Sequence, residues 1–149
     1  MNAFIAAGAG FLLAVLWFDL MFDVQVSGHS EPELPEEVLA SIAAYYRRVT
    51  TAARPMNRLI ATVMLATLVA IIIEITASHE PAWIGWVSLP LAITGIALAG
   101  ARIVPAAVRL GTRRDDAARQ SAAARAIFHE HVLCWVCIAG VLVVQLGFG

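Results

Sequence analysis

Four stretches of this chain, at 3–22, 59–77, 83–101 and 126–148, are apolar for close to the ~20 residues that a helix needs to cross a bilayer. In hydrocarbon every backbone N–H and C=O must be satisfied internally, so the pattern predicts helices and an all-α fold. Four spans and their connections use nearly all of the 149 residues, which leaves no room for a second domain. Composition agrees: 14% of the residues are charged, against about 25% in an ordinary soluble domain. The expectation is a polytopic membrane protein, a four-helix transmembrane bundle whose first partner is the lipid bilayer and which has no nucleic-acid partner. The first stretch reads as a span rather than a signal peptide, because no Arg or Lys precedes it and AAGAG lies at its start.

The basic residues set the orientation. All ten are Arg. Arg47, Arg48, Arg54 and Arg58 lie between spans one and two; Arg102, Arg109, Arg113, Arg114, Arg119 and Arg125 lie at or between the ends of spans three and four. The 78–82 loop and both termini carry none. By the positive-inside rule both Arg-bearing connections face the cytoplasm. The resulting expectation is a bacterial cell (plasma) membrane protein with both termini outside.

The connection at 24–58 is too long for an idle loop. It opens polar and proline-rich, then Val38, Leu39, Ile42, Tyr45, Tyr46 and Val49 recur at helical spacing. Glu36 and Glu37 follow Pro35, and Arg47 and Arg48 close the segment, matching a helix dipole at both ends. This predicts an amphipathic interfacial helix at 36–52, on the membrane surface or packed under the bundle. Residues 112–125 are expected to extend span four. Ala6, Gly10 and Ala14 in span one, and Gly95 and Ala99 in span three, form small-residue ladders that suit close helix packing within the chain.

Span one ends in WFDLMFDV, with Asp19 and Asp23 one turn apart on one face. At the same depth lie Asn57 and Arg58 at the start of span two, Arg102 at the end of span three, and His129, Glu130 and His131 at the start of span four. Arg58 and Arg102 are the expected partners of the acids, with His131 a further candidate for Asp19. Asp19, the deeper of the two along the span, is expected to depend on a partner, while Asp23 reaches water by snorkelling. His129 and His131 point to nearly opposite faces, and His131 is the inward one, because Cys134, Trp135 and Ile138 continue its face. The cluster reads either as an ion-pair belt or as a site of acid–base or metal-ligand type. No three-ligand spacing supports a metal, and no cofactor is assigned.

Cys134 and Cys137 spell CxxC inside an apolar helix, where free Cys behaves as a small hydrophobe. Glu74, with His79 and Glu80 beyond it, is a second-rank candidate for a proton or cation role at the opposite end.

The stretches ARPMNRL (53–59), RIVPAAVRL (102–110) and IFHEHVLCW (127–135) resemble the small four-span membrane proteins grouped with anthrone oxygenases. That resemblance implies the same four-span architecture and carries Asn57 and His131 over as matching positions. Three function classes stay open. The first is an accessory or scaffold subunit of a larger membrane assembly, with other membrane-protein subunits or a second copy as partners. The second is an oxidoreductase or oxygenase-like enzyme taking a hydrophobic substrate at the polar cluster, and the third is an ion or proton carrier. Whether the chain is an enzyme is left open.

Overall fold

A computed structural model describes residues 1–52, 54–77 and 81–149. Helix α1 (Asn2–Asp23) runs into a 3-10 turn at Val24–Gly28, and an extended connector leads to α2 (Glu36–Arg47). A π-turn at Arg48–Ala52 follows, then α3 (Arg54–Thr76), α4 (Trp83–Leu98), a second π-turn at Ala99–Ile103, α5 (Val104–Thr112) and α6 (Ala117–Phe148). Among the described residues there is no strand. Asn2–Gly28, Pro55–Thr76, Trp83–Thr112 and Ala117–Phe148 are long and apolar enough to cross a membrane. The protein is an all-helical membrane protein.

The third span outruns its expected end: the helix passes through the π-turn at Ala99–Ile103 into α5, and Pro105 in the first turn of α5 does not stop it. Pro90 lies inside α4.

The core is a seam with a coiled-coil period. On α1 the inward positions are Ile5, Ala9, Leu12 and Leu16, and the same alternation of four and three steps continues to Asp19 and Asp23. On α6 it runs Ala124, Ile127, His131, Cys134, Ile138, Val141 and Gln145, all buried. These two helices pack along much of their length, and α4 packs on the other side of α6. Gly95 permits that approach: a Cβ there would lie 3.3 Å from the Ile138 side chain. The Ala6–Gly10–Ala14 ladder does not work this way, since a Cβ at Gly10 would meet nothing within 4 Å and Ala14 is exposed. Ile5, Ala9, Leu12 and Leu16 carry the seam instead.

The periodicity at 36–52 does form a helix. It has Glu36 and Glu37 in the first turn and Arg47 in the last, and it buries Val38, Leu39, Ile42, Ala43 and Tyr46. It packs mainly on α5, with α6 and the end of α1 beside it. Gly111 of α5 is required there, because a Cβ would sit 3.0 Å from the Arg47 backbone nitrogen. Around the π-turn, carbonyls are taken up by side chains: Thr50 Oγ1 donates to Tyr46 at 2.6 Å, Thr51 Oγ1 donates to Arg47, and Asn57 Nδ2 donates to Thr50 at 3.1 Å.

The connector before α2 is stitched to α6. Arg125 donates to the carbonyls of Pro32, Glu31 and His29 at 2.9, 2.6 and 3.2 Å. The Leu34 N–H donates to Ser121 Oγ at 2.9 Å. Arg113, in the left-handed conformation (φ 53°) that ends α5, grips both oxygens of Glu36 at 2.5 and 2.7 Å. Nearby, the Arg109 guanidinium holds the Asp115 carboxyl below its usual range through hydrogen bonds of 2.6 and 2.9 Å.

Candidate functional site

The α1 and α6 seams bring Asp19, Asp23 and His131 together where α2 crosses the end of the bundle. His131 Nδ1 donates to Asp23 Oδ2 at 2.6 Å, and its Nε2 lies 3.8 Å from Asp19 Oδ2. Two phenols from α2 complete the arrangement. Tyr46 donates to Asp23 Oδ1 at 2.5 Å and Tyr45 donates to Asp19 Oδ1 at 2.6 Å. Tyr45 also stacks on Phe22 at 4.0 Å between ring centres, which fixes its ring against α1. Each carboxylate thus receives a phenol, and the imidazole bridges the two acids. A buried charge without such donors would cost several kcal/mol, on the order of its desolvation.

Burial ranks the members. Asp23 is 1% exposed and His131 4%, whereas the Asp19 side chain is 17% exposed. The expected ranking is therefore reversed: Asp23 is the acid that depends on partners. Depth along the span suggested otherwise, but the α1 seam turns Asp23 into the contact with α6 and α2, away from lipid and water.

The expected Arg partners are also corrected. Arg102 pairs with Glu130 at 2.6 Å, its own side chain 65% exposed. Arg58 forms no ion pair among the described residues; its carbonyl accepts from Thr62 Oγ1. Asn57 serves the π-turn. His129 is exposed and its Nδ1 donates to the Arg125 carbonyl at 2.8 Å. Of the expected inner cluster, only Asp19, Asp23 and His131 converge. In the sequence Tyr45 and Tyr46 read as apolar positions of α2; the signal available for them is two phenols on the segment that follows a span ending in two acids. No group of three His, Cys, Asp or Glu arranged to hold a metal ion occurs among the described residues.

At the other end, Glu74 is 3% exposed and accepts from Gln145 Nε2 at 2.9 Å; the same amide donates to Ser88 Oγ at 3.2 Å. Glu74 therefore faces the bundle and does not snorkel. His79 and Glu80 lie outside the described residues. Cys134 and Cys137 are free and buried, and Cys134 Sγ donates to the Gly95 carbonyl at 3.4 Å, a contact between α4 and α6.

The family model described as ER membrane protein SH3, the SHR3 chaperone, matches residues 1–148. The chain belongs to this family. No curated protein and no solved structure matches it. The match overturns the anthrone-oxygenase resemblance, which rested on short stretches around Asn57, near the start of α3, and His131, midway along α6. It also overturns the bacterial plasma membrane with termini outside the cell: the family is one of the endoplasmic reticulum. Arg segregation reports which segments share a side, not which membrane they are in. What stands is a membrane protein of an accessory, chaperone-type family.

Two outcomes test the network. Tyr45 and Tyr46 are the only tyrosines in the chain. Burial first, then the facing carboxylates, push both phenols above their usual ~10. A raised folded value means the phenols stabilise the fold below pH ~10 and that this contribution is lost as pH rises beyond it. Tyrosinate absorbance of the folded protein should stay flat through pH ~10 and rise only with unfolding; a reversible titration near ~10 would contradict the network. In detergent, Asp23→Ala should cost on the order of 3–5 kcal/mol by removing from the interior the carboxylate that both Tyr46 and His131 Nδ1 hydrogen-bond. Asp19→Ala should cost ~1.5–3 kcal/mol, the worth of a hydrogen bond to a charged group. Unfolding midpoints that fall equally would reject the ranking.

Proposed function

We propose that the chain is a chaperone-type accessory factor of the endoplasmic reticulum membrane, acting on other membrane proteins without forming a permanent part of them. The observation that carries this reading is the family match over residues 1–148. The polar network supports it. Asp23 and His131 are almost fully enclosed by α1, α2 and α6, and their hydrogen-bonding groups are turned on one another. Such a cluster fixes helix register and holds α2 in place. Clients would then meet a bundle of set shape whose apolar outer surface, including Trp17, Phe18 and Leu65, is presented within the membrane.

The test is depletion combined with crosslinking in endoplasmic reticulum membranes. Removing the protein should lower the mature amount of a subset of polytopic membrane proteins several-fold, and those same proteins should crosslink to it soon after synthesis. If no membrane protein changes in amount, or the affected ones never crosslink to it, the reading fails.

A further inference from the structure

A groove of about 730 Å³ opens at the surface where the end of α1 meets the C-terminal half of α2. Its floor holds Phe22 and Tyr45, and its rim holds Ser41, Arg47, Arg48 and Thr51, with no acidic residue in the lining. Arg47 and Arg48 are exposed and form no ion pair among the described residues. That sets them apart from Arg102, Arg109, Arg113 and Arg119, each of which holds a carboxylate, and from Arg125, which holds three carbonyls. A second groove, of about 530 Å³ between α5 and α6, contains Arg109 and Arg119, but each already holds a carboxylate, Asp115 and Asp116 respectively.

Position supplies the rest of the argument. The groove lies at the end of a span, the level at which phospholipid headgroups meet a helical bundle. Directly along α1 from its floor run Phe18 and Phe22 one turn apart, flanked by Trp17 and Met21, with exposures of 61, 37, 59 and 58%. An apolar strip thus leads from a cationic rim into the hydrocarbon. Phosphate suits two guanidiniums, which present paired N–H donors to its oxygens, and acyl chains suit the aromatic strip.

The geometry points to a binding site for an anionic phospholipid in this groove, its phosphate held by Arg47 and Arg48 and its acyl chains laid along Trp17, Phe18 and Met21 of α1. The occupant is a membrane lipid because the cationic rim and the apolar strip are continuous; a free anion would use only the first.

The full chain, purified in mild detergent, would be titrated with phosphatidylinositol or with phosphatidylcholine of the same acyl chains, and bound lipid counted by native mass spectrometry. The wild type should favour phosphatidylinositol at least ten-fold. The double change R47Q/R48Q should abolish the preference while Arg114→Gln keeps it, and inorganic phosphate should not displace the lipid. Should the double variant fail to fold, Arg48→Gln alone must still reduce the preference several-fold. Equal binding of the two lipids by the wild type would overturn the assignment, as would a preference unchanged in these variants. Displacement of the lipid by inorganic phosphate or by a polyglutamate peptide would overturn it too, showing a site for a free anion or an acidic partner instead.

Discussion

A carboxylate sealed inside a membrane bundle must find its donors within the protein, and the structure is arranged around the way Asp23 does so. Its two oxygens are taken by a phenol from α2 and an imidazole from α6. Those donors come from elements far apart in sequence, so satisfying this one group fixes three helices relative to one another. The order of magnitude matters. A packed apolar contact in lipid gains little over contact with acyl chains, because both are hydrocarbon. An unpaired ionic group in the interior costs several kcal/mol. Register at this end of the bundle is therefore specified by the polar seam residues more sharply than by the apolar ones.

The opposite end uses a related device built on a side-chain amide. Glu74 of α3, Ser88 of α4 and Gln145 of α6 meet through one amide group. Gln145 continues the α6 seam that carries His131, so a single stripe on the longest helix holds two polar fastenings, at His131 and Gln145, with Cys134, Ile138 and Val141 between them. The bundle is pinned at its two ends and packed apolar in the middle.

Much of this was legible in the residues. Hydrophobic length predicted the spans, and the periodicity of Val38, Leu39, Ile42 and Tyr46 predicted α2, because burial and helical period are both written locally. Asp19, Asp23 and His131 could be placed at one depth by the same reasoning. Their partners could be named only in part: His131 was a candidate for Asp19, but the phenols of Tyr45 and Tyr46 and the pairing of Asp23 with His131 could not be read. Depth along a helix says how far a group is from water, whereas burial depends on azimuth, and only the three–four spacing from Ile5 to Asp23 carries that. Tyr45 and Tyr46 read as apolar because a phenol is mostly ring; its hydroxyl matters only once a carboxylate faces it. Family membership was not legible either, since the stretches around Asn57 and His131 are too short to mark a family.

The central claim is that the tyrosine–carboxylate–histidine network holds α2 on the bundle, and amide hydrogen exchange along 36–47 reads that directly. The account predicts slow exchange across this helix in the detergent-solubilised wild type. Tyr46→Phe, which removes one hydroxyl and leaves the ring, should speed exchange there by at least ten-fold while α4 and the middle of α6 stay protected. Equal protection of α2 in the wild type and in Tyr46→Phe would show that apolar packing alone holds the helix, and would contradict the account.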